Sequence, residues 1–370
     1  MSTLSEHFGY LTDTRRAAFY EQAIANVLQE NDTVADLGCG FGIFGLLCLN
    51  AGASSVWGID ATDAIDIARE TAVKAGFADN YHCIASSTYR TELPERVDLL
   101  ICDHVGYFGI DYGIVRLMAD ARRRFLKPGS RMIPERIDLF LAGIRSDKCR
   151  KLLDRWDANT VPALYAWLRT YAVNTKHVVD FVPADIATAP VQVGTLALGE
   201  DMPETLGFKA SLTIDEDGTL DGIGGWFECE LGGGVRMTNS PLARHAIRRH
   251  QIFLGFDAPM DVAAGDIVEV SVKLNHRNNV VAWSARDPRT GRMLRYSTWA
   301  SMPMSRSERL KHSLAPRIVN FLRSTLRVAP SRARFCRKFP DVMPVTFSAT
   351  RSCRWSGPMK AHLCCMPAAS

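Results

Sequence analysis

A chain of 370 residues, 47% hydrophobic and 23% charged, is long enough for two cores of ordinary size, and it contains no apolar run of about 18 residues that could cross a bilayer as a helix. The net charge of +4 is uneven: residues 305–370 carry 13 Lys and Arg against 2 acids, or +11, which leaves residues 1–304 at −7. An acidic body suits a basic substrate, and a start reading Met1-Ser2-Thr3-Leu4-Ser5-Glu6-His7 lacks the pattern of a secretory signal, so the expected compartment is cytoplasmic. Cys39, Cys48, Cys83, Cys102, Cys149 and Cys229 are scattered singly and Cys336, Cys353, Cys364 and Cys365 crowd the end, without zinc-ligand spacing, so no structural metal is expected.

In chain order, Thr12 to Glu30 has apolar residues at helical spacing behind Thr12-Asp13-Thr14, which predicts one amphipathic helix with a good cap. Val34 to Leu37 reads as a strand running into glycines, and Phe44 to Leu49 as a helix buried on a sheet. Strands follow at Ser55 to Asp60, Tyr81 to Ala85 and Val97 to Cys102, with helices at Ala64 to Ala75 and Ile114 to Leu126. This alternation predicts a doubly wound parallel sheet, with the helix at Ile114 to Leu126 stopped by Lys127-Pro128-Gly129-Ser130. From about Arg136 the pattern changes to runs at 137–144, 208–214, 225–231, 251–256, 267–274 and 280–285, an antiparallel barrel or sandwich interrupted by an aromatic-rich helical stretch, Asp147 to Tyr171.

The sharpest motif is Asp36-Leu37-Gly38-Cys39-Gly40-Phe41-Gly42 between a strand and a helix, with Asp60 ending the next strand. Glycines let backbone approach a ligand that a Cβ would block, and an acid after the second strand can accept from both ribose hydroxyls. A nicotinamide dinucleotide is served by the same logic, but its sites favour G-x-G-x-x-G. The tighter G-x-G-x-G behind an aspartate points to S-adenosylmethionine.

Three segments then resemble the protein arginine methyltransferases, a family of class I S-adenosylmethionine-dependent enzymes. Glu6-His7-Phe8-Gly9-Tyr10 followed by Arg16 is similar to that family's amino-terminal cofactor lid; the resemblance implies Phe8 on the adenosyl group and Arg16 on the methionine carboxylate. Cys102-Asp103-His104-Val105-Gly106-Tyr107 resembles the substrate loop, where two glutamates grip a guanidinium. Here the first position is Asp103, the second aligns with Tyr112, and Asp111 lies one residue early. Gly225 to Leu231, Met237 to Pro241 and Gln251-Ile252-Phe253 resemble the barrel strands, but Ala246-Ile247-Arg248 stands where many members carry Thr-His-Trp, with His245 and His250 displaced.

The resemblance implies a Rossmann-like cofactor domain with a lid helix over residues 1–130 and an antiparallel β domain over 131–304 with a helical arm at about 147–171. Residues 305–370 would form a basic, poorly structured tail or the frame-shifted end of a coding region. The expected cofactor residues are Phe8, Arg16, Asp36, Gly38, Gly40, Asp60, Ala61, Ser87 and Thr88, and the expected catalytic residues Asp103 and Asp111. The methyl acceptor would be an arginine-like or other amine on a protein or peptide, or a small molecule; a catalytically inactive cofactor-binding subunit is the competing reading. A homodimer through the arm is expected, and nucleic acid only through the tail.

Overall fold

The computed structural model describes residues 3–301; the expectations for the basic tail lie outside them. The chain opens with α1 (Thr3–Thr12) and α2 (Thr14–Val27) rather than one helix over 12–30. Asp13 causes the break: its carboxylate accepts from the Arg16 amide at 3.2 Å and caps α2, which buries Tyr20, Ala23, Ile24 and Val27.

Next come β1 (Thr33–Leu37), α3 (Ile43–Asn50), β2 (Ser55–Asp60), α4 (Ala64–Lys74), β3 (Tyr81–Ala85), β4 (Val97–Cys102), α5 (Ile114–Phe125) and β5 (Leu126–Ile133). The five strands form a sheet in the order β3-β2-β1-β4-β5, with every neighbouring pair parallel. Continuous apolar runs suit strands covered on both faces: Val34, Ala35, Leu37, Leu99, Leu100 and Ile101 are all fully buried. The helix does end ahead of Lys127 to Ser130, at Phe125, but that segment is itself part of a strand. The chain passes from α5 straight into β5, and Gly129, with φ at +77°, takes up a register shift against β4.

The remaining strands are β6 (Arg136–Ile144), β7 (Lys176–Val179), β8 (Val191–Ala197), β9 (Thr205–Thr213), β10 (Gly218–Gly232), β11 (Val235–Thr238), β12 (Gln251–Val262), β13 (Ile267–Asn275), β14 (Val280–Arg286) and β15 (Met293–Ser297). They make two antiparallel sheets, β7-β12-β10-β6-β8 with β11 beside β10, and β15-β14-β13-β9. The fold class is therefore a Rossmann-like α/β sheet followed by an antiparallel β domain. Strands β7, β8 and β15 have no counterpart in the sequence reading because they are short and partly exposed, and β11 overlaps the Met237 to Pro241 segment. The arm is α6 (Asp147–Asp154) and α7 (Leu168–Val173), with Cys149 and Leu153 buried.

The β domain meets the site directly. Asn26 Nδ2 donates to Gly233 O at 3.0 Å, Arg15 to Ala246 O at 3.2 Å, and Asn239 Nδ2 to Tyr107 O at 2.9 Å. No helix among the described residues is long and apolar enough to cross a membrane.

Candidate active site

Strand register builds the site. Leu37 of β1 pairs with Ile59 of β2 on one side and Cys102 of β4 on the other, so the three strands end level. The residues that follow, Gly38, Asp60 and Asp103, emerge around a cavity of about 440 Å3. The strand order reverses between β1 and β4, where open α/β sheets leave a crevice at their carboxyl ends.

On the β1 side, Gly38 and Gly40 have φ of +67° and +52°, a region in which a side chain is strained. A Cβ at Gly38 would collide with the His104 imidazole, and one at Gly40 would come within 2.8 Å of His7 Nε2. The turn is tied to β2: the Gly38 and Cys39 amides donate to Ile59 O at 2.8 and 3.1 Å, and the Gly40 amide donates to Asp60 Oδ2 at 2.9 Å. Asp60 Oδ1 accepts from the amide and hydroxyl of Thr62 at 2.8 and 2.6 Å. Behind the turn, Asp36 is 1% exposed and accepts from the Gly45 amide at 2.9 Å. Burial pushes its carboxyl up to about 7, the Gly45 bond opposing only in part.

Helix α2 supplies Arg16, 3% exposed, with its guanidinium 5.0 Å from the Tyr10 ring and 5.2 Å from the Phe44 ring. Its Nη2 donates to Tyr10 O at 2.8 Å and its Nη1 is paired with Asp103 Oδ2, while its buried Nε has no partner. His7 stacks on Phe41 at 4.2 Å, and His7 and Tyr10 both line the cavity. Phe8 corrects the expectation: it is 66% exposed and does not line the cavity, since one step along a helix turns a side chain by about 100°.

A second hollow of about 330 Å3 shares Gly38, Asp60, Thr62, His104 and Tyr112 with the first and adds Ala61, Ser87 and Thr88. Arg16, Asp36, Gly38, Gly40, Asp60, Ala61, Ser87, Thr88 and Asp103 are thus brought together along one continuous hollow.

At the far end Asp103 is held from three sides. Its Oδ1 accepts from Tyr20 OH at 3.1 Å, and its Oδ2 receives Arg16 and Arg249, the latter at 3.1 Å. Burial would raise its pKa, but the Arg249 and Arg16 guanidinium groups hold it below the usual carboxylate range. His104, beside it, is kept neutral by burial, which lowers its pKa. Asp111 is turned away from the cavity, contrary to the expectation that it faces an acceptor. Its Oδ2 caps its own loop, accepting from the Tyr107 and Phe108 amides at 2.8 and 2.6 Å, and its Oδ1 pairs with Lys176 of β7.

Sequence reasoning placed His7, Tyr10, Phe41 and His104 within its motifs without giving them individual roles, and it missed Arg249. Arg249 follows the Ala246-Ile247-Arg248 triplet, but nothing local distinguishes it from Arg244 or Arg248. Among the described residues no group of three His, Cys, Asp or Glu is placed to hold a metal ion.

Residues 19–157 match the family described as ribosomal protein L11 methyltransferase (PrmA). The chain is 28% identical over 253 residues to protein arginine N-methyltransferase 6 of Xenopus laevis, covering 65% of this chain and 74% of the relative. It is 25% identical over 294 residues to protein arginine N-methyltransferase 1 of Saccharomyces cerevisiae, covering 74% and 83%. In fold it is similar to a chain of the Trypanosoma brucei PRMT1 enzyme-prozyme heterotetrameric complex with AdoHcy, with a TM-score of 0.71 at 20% identity over 80% of this chain and 96% of that one. It is likewise similar to Arabidopsis thaliana protein arginine methyltransferase 10, at 0.70 and 22% over 80% and 98%. With the glycine turn, Asp60 and Arg16 meeting in one hollow, the chain is similar, at 25–28% identity over 65–74% of its length, to protein arginine N-methyltransferases, and it has the fold of solved protein arginine methyltransferase structures.

Proposed function

We propose that this chain transfers the methyl group of S-adenosylmethionine to a nitrogen acceptor, arginine-like or another amine, on a protein or peptide. The observation that carries the reading is the level ending of β1, β2 and β4, which gathers Gly38, Asp60 and Asp103 around one cavity. Asp60 would accept from the ribose hydroxyls, Gly38 and Gly40 would bring backbone against the cofactor, and Ala61, Ser87 and Thr88 would flank its adenine. Asp36 would support the turn from behind through Gly45. Arg16 would take the methionine carboxylate, since a planar fork matches a carboxylate and its buried Nε still lacks a partner.

The cofactor supplies a methyl group made electrophilic by a sulfonium. The chain's own contribution is placement: α1 and α2 exclude water, and Asp103 fixes charge at the acceptor end, so that catalysis rests on orientation and electrostatics. Residues 1–130 then act as the cofactor domain and 131–304 as the β domain with its arm. Leu164, Tyr165 and Trp167 of the arm are exposed, which supports self-association through it. Six free cysteines among the described residues support a reducing compartment such as the cytoplasm.

Calorimetry with S-adenosylmethionine, followed by an S-adenosylhomocysteine release assay over peptides, proteins and small amines, tests this reading. Binding with turnover supports it. Binding of NADH in place of S-adenosylmethionine sinks it. Binding without turnover on any acceptor selects a second reading, a cofactor-binding subunit without catalysis, which the ion-paired state of both Asp103 and Asp111 favours.

A further inference from the structure

Asp103 is shared between two cations of the chain itself. Arg249, from the segment entering β12, donates Nη2 to Asp103 Oδ2 at 3.1 Å, and its side chain is only 7% exposed. Arg16 takes the same oxygen, and Tyr20 OH donates to the other at 3.1 Å. Burial favours a neutral Arg249, but Asp103 keeps it protonated, so this buried cluster holds two guanidinium groups against one carboxylate. One N–H of each, Arg16 Nε and Arg249 Nη1, is buried without a partner.

An acceptor guanidinium stays charged at any working pH, because its pKa exceeds about 12, and it needs a carboxylate to receive it. Asp103 is already committed, and Asp111 is spent on Lys176 and two backbone amides. With Arg16 taken up by the cofactor's carboxylate, another cation at Asp103 must either displace Arg249 or stand beside its like charge. The third neighbour, Tyr20, offers a neutral hydroxyl and changes nothing in this balance.

We infer that Arg249 is a specificity-determining residue: an internal guanidinium seated where an acceptor guanidinium would sit, so that the site refuses cationic acceptors and takes a nucleophile uncharged at its reacting atom. This rests on the reading of Asp103 as the acceptor end of a cofactor site. It narrows the acceptor to an amine presented in its neutral form and sets arginine aside for the chain as it stands.

An Arg-Gly peptide is titrated calorimetrically, in the presence of S-adenosylhomocysteine, into the wild type, Arg249→Ala, and Arg249→Ala combined with Asp103→Asn. Arg249→Ala is expected to bind the peptide at least about tenfold more tightly than the wild type, as befits a vacated place beside a buried carboxylate, and to gain turnover on it. The added Asp103→Asn change is expected to abolish that gain. Equal affinity of wild type and Arg249→Ala, or a gain that survives Asp103→Asn, overturns the inference. Should Arg249→Ala fail to fold, Arg249→Gln replaces it, and a wild type that methylates the arginine peptide overturns the inference without any variant. Failure of the wild type to bind S-adenosylhomocysteine is a separate result that defeats the cofactor reading, while peptide titrations of the free proteins still decide the role of Arg249.

Discussion

Asp36 and Asp103 lie at the ends of neighbouring strands, β1 and β4, and both are withdrawn from water, yet their environments drive them in opposite directions. On the proposed cofactor side Asp36 has one backbone donor, Gly45 N, and burial wins, lifting its carboxyl to about 7. On the proposed acceptor side Asp103, its side chain 10% exposed, meets Arg249 and Arg16, which hold it below the usual range against the effect of burial. Burial alone therefore does not set the charge of a carboxylate; the partners that burial brings with it do. The two ends differ in construction as well. The cofactor side is assembled from strand ends and the turns that follow them, whereas the acceptor side is completed by α2 and by a segment of the β domain more than a hundred residues away.

The contrast is broken most severely at Asp103. Asp103→Asn leaves Arg16 and Arg249 buried without their counter-charge, and we expect a loss of about 3–5 kcal/mol in urea denaturation, with turnover abolished. A variant as stable and active as the wild type would show that the cluster is incidental.

The two carboxylates also predict opposite pH limbs. Asp36 has a folded pKa above its unfolded value, so its contribution is most favourable below the ordinary carboxylate pKa and is lost as pH rises through about 7. The loss is on the order of 4 kcal/mol. Asp103 has a depressed folded pKa, so its contribution is present above the ordinary carboxylate pKa and is lost as pH falls through its folded value. Asp36→Asn, which keeps an oxygen for the Gly45 amide, should flatten the decline between pH 4 and pH 8 in thermal melts recorded across that range. An unchanged profile would place the titration elsewhere.

Asp60→Ala sharpens the comparison from the cofactor side: it is expected to weaken S-adenosylmethionine binding by about 1–3 kcal/mol while the fold survives. Unaltered affinity by calorimetry would refute the ribose assignment. The smallest effect on cofactor binding is expected at Asp111, which is turned away from the cavity. Asp111→Asn keeps an oxygen for the Tyr107 and Phe108 amides but leaves Lys176, largely buried, without its counter-charge, so a stability loss of about 3 kcal/mol with cofactor affinity unchanged is anticipated. A collapse of cofactor affinity in this variant would mean that its loop is part of the cofactor site after all.

Much of the cofactor half was legible because its parts are local. Glycines at alternate positions, an aspartate before them and another ending the next strand lie within 25 residues, Asp36 to Asp60, and hydrophobic periodicity located the strands that carry them. Phe8 was misplaced because the resemblance named a segment, while the helical phase of α1 decides which of His7, Phe8 and Tyr10 faces inward. Asp111 was misplaced for a related reason: an acid one residue from a matching position looks available in a linear reading, but the loop turns it onto its own amides and toward Lys176.

The sequence by itself determined the parallel sheet, the glycine turn, the acid on β2 and the change to an antiparallel β domain, because apolar period and backbone-permissive residues are properties of short stretches. Only the tertiary structure decided the state of Asp103, the proposed acceptor end. Whether Asp103 faces water, one cation or two depends on Arg16 and Arg249, which lie 87 and 146 residues from it along the chain. A charge interaction at that separation leaves no local pattern to read, because it exists only once packing has brought the groups together in a medium too dry for water to screen them.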